Sequence, residues 1–263
     1  MQWFDTHAHL DLQPLASDAK SVWQQARAAG VCHVLIPGVS PDAWAQTCAQ
    51  AARLTGAYWA AGLHPWWLEK CPGLSPEHLQ RQLHETFENN PQCPPIAVGE
   101  CGLDGTLATP VALQIPWLEA QLEVAQALGK PAILHAHKAH NEVLQTLKKF
   151  PAVRGVIHGF AGSVSLAEQY LSKGWLLGIG GVVTYERAQK TRTTLAALPA
   201  GSFVLETDAP AMPIAGRQGL ANTPSQLIEI ASCVAGLRNE SMAELNAHTG
   251  RAAKTLWGTA LER

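Results

Sequence analysis

Two histidines near the start of the chain are the first residues whose spacing indicates chemistry. His7 and His9 lie in an Asp-Thr-His-Ala-His motif that begins at Asp5 and follows a short apolar segment. In an extended strand, residues i and i+2 point to the same face, so both imidazoles can reach one ion. The spacing therefore predicts a metal site.

Further residues with ligand-type side chains stand at the carboxyl ends of other apolar runs. They are Glu100, His135, His158 and Asp208. Imidazoles and carboxylates without thiolates suit Zn²⁺, Mn²⁺ or Mg²⁺, and three histidines with one carboxylate already more than saturate a tetrahedral ion. We therefore expect two divalent metal ions. The predicted metal ligands are His7, His9, Glu100, His135, His158 and Asp208.

The elements that must position these residues follow one repeated alternation of strand and helix. Apolar, β-rich runs predict strands over residues 3–10, 32–39, 58–64, 96–103, 132–135, 155–160, 175–181 and 203–208. Helical periodicity with start or stop signals predicts helices over residues 17–29, 41–54, 116–128, 224–235 and 241–256. The alternation predicts an α/β fold, a closed (β/α)8 TIM barrel, and we expect residues 1–263 to form a single barrel domain.

An open doubly wound sheet is the alternative fold. It would normally carry a glycine-rich turn after its first strand, where this chain has histidines. In a closed barrel, active sites lie at the carboxyl ends of the strands. We therefore expect the six predicted ligands to converge there.

Composition and charge restrict the function classes. The chain has 263 residues, of which 47% are apolar and 15% charged, as expected for a soluble globular protein. Its net charge of -2 excludes a global basic field for nucleic acid, so any polyanion site must be local. The six cysteines lack the spacing of a thiolate zinc site. No apolar run approaches the roughly 18 residues of a membrane span. We predict a cytoplasmic protein with no membrane association and no obligate protein partner.

Six segments of the chain together resemble a known family. They read DTHAHLD from Asp5, GLHP from Gly62, VGECGLD from Val98, ILH from Ile133, IHGFAGS from Ile157 and LETDAP from Leu205. In this order they are similar to the motifs of the TatD family of metal-dependent deoxyribonucleases and, in detail, of its YjjV-like branch. The resemblance implies a barrel of the metal-dependent hydrolase type, a divalent metal pair and phosphodiesterase activity on DNA.

The resemblance also assigns roles to the ligands. It implies that His7, His9, Glu100 and Asp208 surround one ion, and that Glu100 bridges to a second ion. It implies that His135 and His158 hold that second ion, and that His64 faces the substrate.

Two positions depart from the family pattern. After His135 the chain continues with Ala-His-Lys, where members commonly carry an Arg-Asp pair. It has Gly105 where members commonly carry an aromatic residue. Both departures alter the wall of the pocket and leave the predicted metal ligands in place.

The charge of a phosphodiester indicates how these residues would act. Glu100 and Asp208 are the predicted catalytic residues: Glu100 sets the spacing of the ions, and Asp208 orients the attacking water and takes its proton. The alternative is that Asp208 is only a metal ligand. Glu206 lies two residues earlier on the same strand. It either holds a ligand histidine or pairs with a lysine or arginine.

Residues around the predicted site suggest how substrate binds. Trp66 could stack on a base, or pack its loop onto the barrel rim. Lys138 follows the ligand His135 and is a candidate contact for phosphate, as His64 is for the substrate. We expect DNA, as single strands or frayed ends, to be cleaved exonucleolytically. The alternatives are a hydrolase of a small ester, amide or phosphoester, and a non-catalytic metal-binding or nucleic-acid-binding module.

Overall fold

Eight parallel strands form the core of the protein. The computed structural model describes residues 1–261. The strands pair in sequence order. They are β1 Trp3–Asp5, β2 Val31–Pro37, β3 Ala57–Ala61, β4 Ala97–Asp104, β5 Ala132–His137, β6 Gly155–Ile157, β7 Leu176–Ile179 and β8 Phe203–Leu205. Each predicted strand contains or overlaps one of these, so the predicted strand order is correct.

The sheet closes between its first and last strands. The Thr6 amide donates a hydrogen bond to the Leu205 carbonyl at 3.0 Å, and Ala8 bridges Ala209 in parallel register. The buried Asp5 carboxylate strengthens this junction by accepting hydrogen bonds from the amide and hydroxyl of Thr207. The predicted (β/α)8 barrel is confirmed, and the open-sheet alternative is wrong.

Nine α-helices lie within the described residues. They are α1 Ala19–Ala28, α2 Pro41–Arg53, α3 Pro76–Glu88, α4 Val111–Leu128, α5 His140–Leu147, α6 Val164–Leu171, α7 Gln189–Ala197, α8 Leu227–Arg238 and α9 Met242–Trp257. A 3-10 turn, Pro65–Lys70, follows β3. Buried side chains of the strands and helices form the core between the barrel and its outer layer.

Helix α4 differs from the prediction at its start. The sequence predicts a start at Pro116, because proline favours the first turn. The helix begins at Val111 instead, so that Pro116 lies inside it. Its predicted end is correct, since Gly129 closes it in the left-handed conformation with φ 60°.

Several predicted strands extend further than the observed ones, and the first, predicted over 3–10, ends at Asp5. The strand predicted over 155–160 ends at Ile157, and the one predicted over 203–208 ends at Leu205. The remaining residues belong to loops, which is where His158 and Asp208 lie. Across residues 1–261, no helix is both long and apolar enough to cross a membrane.

Candidate metal centre

The six predicted ligands come together at the carboxyl end of the barrel. His7 and His9 follow β1, and Glu100 and His135 lie within β4 and β5. His158 directly follows β6, and Asp208 lies three residues beyond the end of β8. All six side chains are at most partly exposed, and Glu100 is 2% exposed.

One oxygen of Glu100 faces a first group of donors. Glu100 Oε2 lies 3.1 Å from His7 Nε2 and 3.5 Å from His9 Nε2. The two Nε2 atoms are 3.2 Å apart, and Asp208 Oδ1 lies 3.7 and 3.8 Å from them. Four nitrogen and oxygen donors thus surround one point, as in a site for a divalent cation.

The other oxygen of Glu100 faces a second group of imidazoles. Glu100 Oε1 lies 3.1 Å from His158 Nε2, 3.3 Å from His135 Nδ1 and 3.2 Å from His64 Nε2. His135 Nε2 lies 3.1 Å from Asp104 Oδ2, so the Nε2 proton is donated there and Nδ1 faces Glu100. An imidazole nitrogen that faces a carboxylate oxygen needs a proton or an ion between them. The donor set therefore fits a cation.

Burial and neighbouring charges set the protonation of these groups. Burial raises the pKa of Glu100, but His64 and the other imidazoles around it hold that pKa well below its usual range. Burial, and then His158, lower the pKa of His7. Burial opposes charge on His158, yet Glu100 and Glu206 hold its pKa well above the usual value. An arriving ion therefore displaces a proton from this site.

Comparison with known proteins identifies the family. The family model described as TatD related DNase matches residues 4–258. The chain belongs to the TatD family. The family prediction is thus confirmed, and the protein is a metal-dependent hydrolase.

Relatives of this TatD-family protein match it over most of their length. It is 39% identical over 246 residues to the uncharacterized metal-dependent hydrolase YjjV of Escherichia coli K12, with 93% of each chain covered. The crystal structure of YjjV matches with a TM-score of 0.91, 36% identity and 97% of each chain covered. The protein named 3'-5' ssDNA/RNA exonuclease TatD of Klebsiella pneumoniae 342 is 33% identical over 270 residues, with 97% of each chain covered.

Asp208 adopts an unusual backbone conformation in this TatD-family site. Its φ of 55° lies in the left-handed region, which aspartate tolerates better than most residues. Its amide donates to the His7 carbonyl at 2.8 Å, so the junction of β1 and β8 holds it there. Its side chain is 19% exposed and thus reaches the open end of the site.

Glu206 lies beside the predicted ligand His158. Its Oε1 lies 3.4 Å from His158 Nδ1 and accepts a hydrogen bond from the Gly159 amide. Among residues 1–261, no lysine or arginine forms an ion pair with it, so the histidine-holding alternative agrees with the structure. A Cβ at Gly178 would lie 2.2 Å from Glu206 Oε2, and the glycine therefore makes room for this carboxylate.

Asp104 is a site residue that sequence reasoning missed. It is 1% exposed and accepts from His135 Nε2 at 3.1 Å and from the Trp66 indole at 2.7 Å. The sequence does contain a signal for Asp104, which lies four residues after Glu100 in the same strand. Because side chains alternate between the two faces of a strand, both of these side chains point to one face.

His64 is buried beside Glu100. The Trp66 amide donates to His64 Nδ1 at 3.0 Å, so the neutral ring carries its proton on Nε2. That Nε2 atom points at Glu100 Oε1. His64 therefore donates a hydrogen bond to Glu100, whereas His135 donates from its Nε2 to Asp104. Its predicted contact with substrate stays a prediction.

The other predicted substrate residues lie on the rim. Trp66 is 53% exposed and Lys138 is exposed. Trp67 is partly buried with the Lys70 ammonium 4.7 Å from its ring, which favours a packing role for this neighbour.

The two departures from the family pattern meet in space. A Cβ at Gly105 would lie 2.6 Å from the Lys138 carbonyl oxygen, whose residue has a left-handed φ of 50°. A side chain at position 105 therefore clashes with the turn that follows β5. The two departures form one altered section of the pocket wall.

Proposed function

We propose that this protein is a metal-dependent exonuclease that hydrolyses phosphodiester bonds at single-stranded or frayed DNA ends. The observation that carries the proposal is the position of Glu100, whose two oxygens each face a separate group of imidazoles. The name of the Klebsiella relative, a 3'-5' ssDNA/RNA exonuclease, supports a nucleic-acid substrate.

Two divalent ions, Zn²⁺, Mg²⁺ or Mn²⁺, are proposed for the site. The first would be held by His7, His9 and Asp208, the second by His135 and His158, and Glu100 would bridge them. Bound ions of this kind neutralise a phosphodiester and acidify the attacking water. Each of these donor atoms lies 3.1 to 3.8 Å from Glu100 or from a neighbouring ligand, which supports the assignment.

The chain's own residues carry the protons in the proposed reaction. Asp208 accepts the proton of the attacking water, because its carboxylate is partly exposed at the open end of the site. In this structure His64 donates from Nε2, where the Trp66 amide fixes its proton, to Glu100 Oε1, and we propose that substrate binding redirects this donor to an oxygen of the phosphate. The water oxygen bonds to phosphorus as the bond to the leaving oxygen breaks, and the leaving oxygen takes up the proton that Asp208 accepted.

Rim residues would hold the nucleic acid. The exposed face of Trp66 is available for stacking on a base, which is tolerant of sequence. Lys138 would contact a phosphate. The net charge of -2 gives the protein no overall basic field, which favours short strands and ends over long duplexes.

We further propose a cytoplasmic protein in which residues 1–263 act as one domain. Six cysteines are free thiols, which supports a reducing compartment.

Reconstitution of metal-free protein tests the function. Samples loaded separately with Mg²⁺, Mn²⁺ and Zn²⁺ receive end-labelled single strands, frayed duplexes and a covalently closed circular duplex, with Asp208→Asn as the matched control. We expect metal-dependent shortening of the single strand. Rapid nicking of the circle with the single strand intact contradicts the exonuclease. Hydrolysis of a small ester or amide alone contradicts the nucleic-acid substrate.

A further inference from the structure

Trp66 is exposed on the rim, yet its polar atom is bonded inside the site. Its ring is 53% exposed, while its indole Nε1 donates to Asp104 Oδ2 at 2.7 Å. The backbone amide of Trp66 is also engaged, since it donates to His64 Nδ1. The indole is thus fixed at one edge, with much of its surface open to solvent.

One oxygen of Asp104 contacts both the Trp66 indole and the predicted metal ligand His135. Oδ2 accepts from Trp66 Nε1 and lies 3.1 Å from His135 Nε2, whereas Oδ1 accepts from the Thr106 amide and hydroxyl. Asp104 is therefore fully engaged, with two contacts on each of its oxygens.

The position of Asp104 determines which nitrogen of His135 can bind an ion. Nε2 lies against Asp104 Oδ2, which leaves Nδ1 to face Glu100 Oε1 at 3.3 Å. The Trp66 and Thr106 donors occupy the remaining positions on Asp104, which keeps the carboxylate from turning away. The orientation of His135 therefore depends on three side chains that do not reach Glu100.

We propose that Trp66 and Asp104 are positioning residues for His135, so that an indole on the barrel rim sets the affinity for the ion beside Glu100 Oε1. The proposal rests on the proposed function in needing an ion at that position. It assigns Trp66 two roles: its exposed face stacks on a base, and its N–H edge orders a metal ligand.

The test measures ion binding without any substrate. Metal-free protein is titrated with Mn²⁺ by calorimetry, and the two binding steps are resolved. Trp66→Phe keeps an aromatic ring and removes the indole N–H. We expect it to weaken one step about 3- to 10-fold, as for the loss of one hydrogen bond. Asp104→Asn should weaken the same step by about 10- to 100-fold.

A matched control separates positioning from general damage. Trp117→Phe makes the same substitution on α4, at a partly buried indole that is hydrogen-bonded to none of the described ligands of the metal centre, and should leave both steps unchanged. Thermal melting of the metal-free variants checks that they are folded. In both test variants the other Mn²⁺ step should keep its wild-type affinity, which a merely structural defect would not achieve.

Several outcomes overturn the proposal. Unchanged Mn²⁺ binding in Trp66→Phe and Asp104→Asn does so, as does equal weakening of both steps or the same loss in Trp117→Phe. Protein that binds both ions as expected but cleaves no nucleic acid refutes the proposed substrate and leaves the positioning role supported.

Discussion

The two oxygens of Glu100 face two halves of the site that are built differently. The Oε2 half contains His7 and His9, whose Nδ1 atoms, like His158 Nδ1 in the other half, have no hydrogen-bond partner among the described residues. The Oε1 half contains His135 and His158, which lie against the carboxylates of Asp104 and Glu206. The backbone junction of β1 and β8 therefore positions the first half. The carboxylates of Asp104 and Glu206 lie beside the ligands of the second half.

Removal of Glu100 should disrupt both halves at once and have the largest effect. Glu100→Ala is expected to lose at least one ion, because the proposed bridge has gone. Activity should fall by more than about 10²-fold, since loss of an outer partner alone costs roughly 10- to 100-fold. Elemental analysis and turnover measure the two effects. A variant that retains both ions contradicts the bridge.

Replacement of Asp208 separates chemistry from ion binding in the Oε2 half. Asp208→Asn should leave the fold and at least one ion in place but lower turnover by roughly 10²-fold or more, because proton acceptance is lost. Metal content and turnover are measured on the same preparation. Wild-type turnover with unchanged metal content would reduce Asp208 to a ligand.

Replacement of Glu206 tests the Oε1 half selectively. Glu206→Gln should weaken the ion beside His158 by about 10- to 100-fold, because an amide is a poorer acceptor for the imidazole N–H. The ion beside His7 and His9 should bind as before. Calorimetric titration with Mn²⁺ distinguishes the two. Weaker binding of the ion beside His7 and His9 alone would show that Glu206 acts on the Oε2 half instead.

Lys138 should produce the smallest effect, since it lies outside both halves. Lys138→Ala should weaken binding of a single-stranded oligonucleotide a few-fold. If Lys138 neutralises one phosphate, the slope of log affinity against log salt should fall by about 0.7. Fluorescence anisotropy across a salt series measures it. An unchanged slope would show that Lys138 makes no phosphate contact.

The sequence predicted the strand order and the convergence of the ligands well, because both follow from strand-helix alternation and barrel architecture. It could not predict Asp104 as a partner of Trp66. That bond depends on the turn after His64, whose imidazole fixes the Trp66 amide, and on the rotamer of a single aspartate. Strand ends were overestimated at His158 and Asp208 because apolar or β-branched residues continue past the last paired residue.

The contact between Gly178 and Glu206 limits how this sequence can evolve. Any side chain at position 178 meets the Glu206 carboxylate, and Glu206 in turn lies against His158. Substitution of Gly178 is therefore acceptable only where position 206 has changed, whereas Glu206 can be replaced with Gly178 in place, so the dependence runs in one direction. Randomising position 178 alone should return glycine, and new residues there should become accessible only after position 206 has changed.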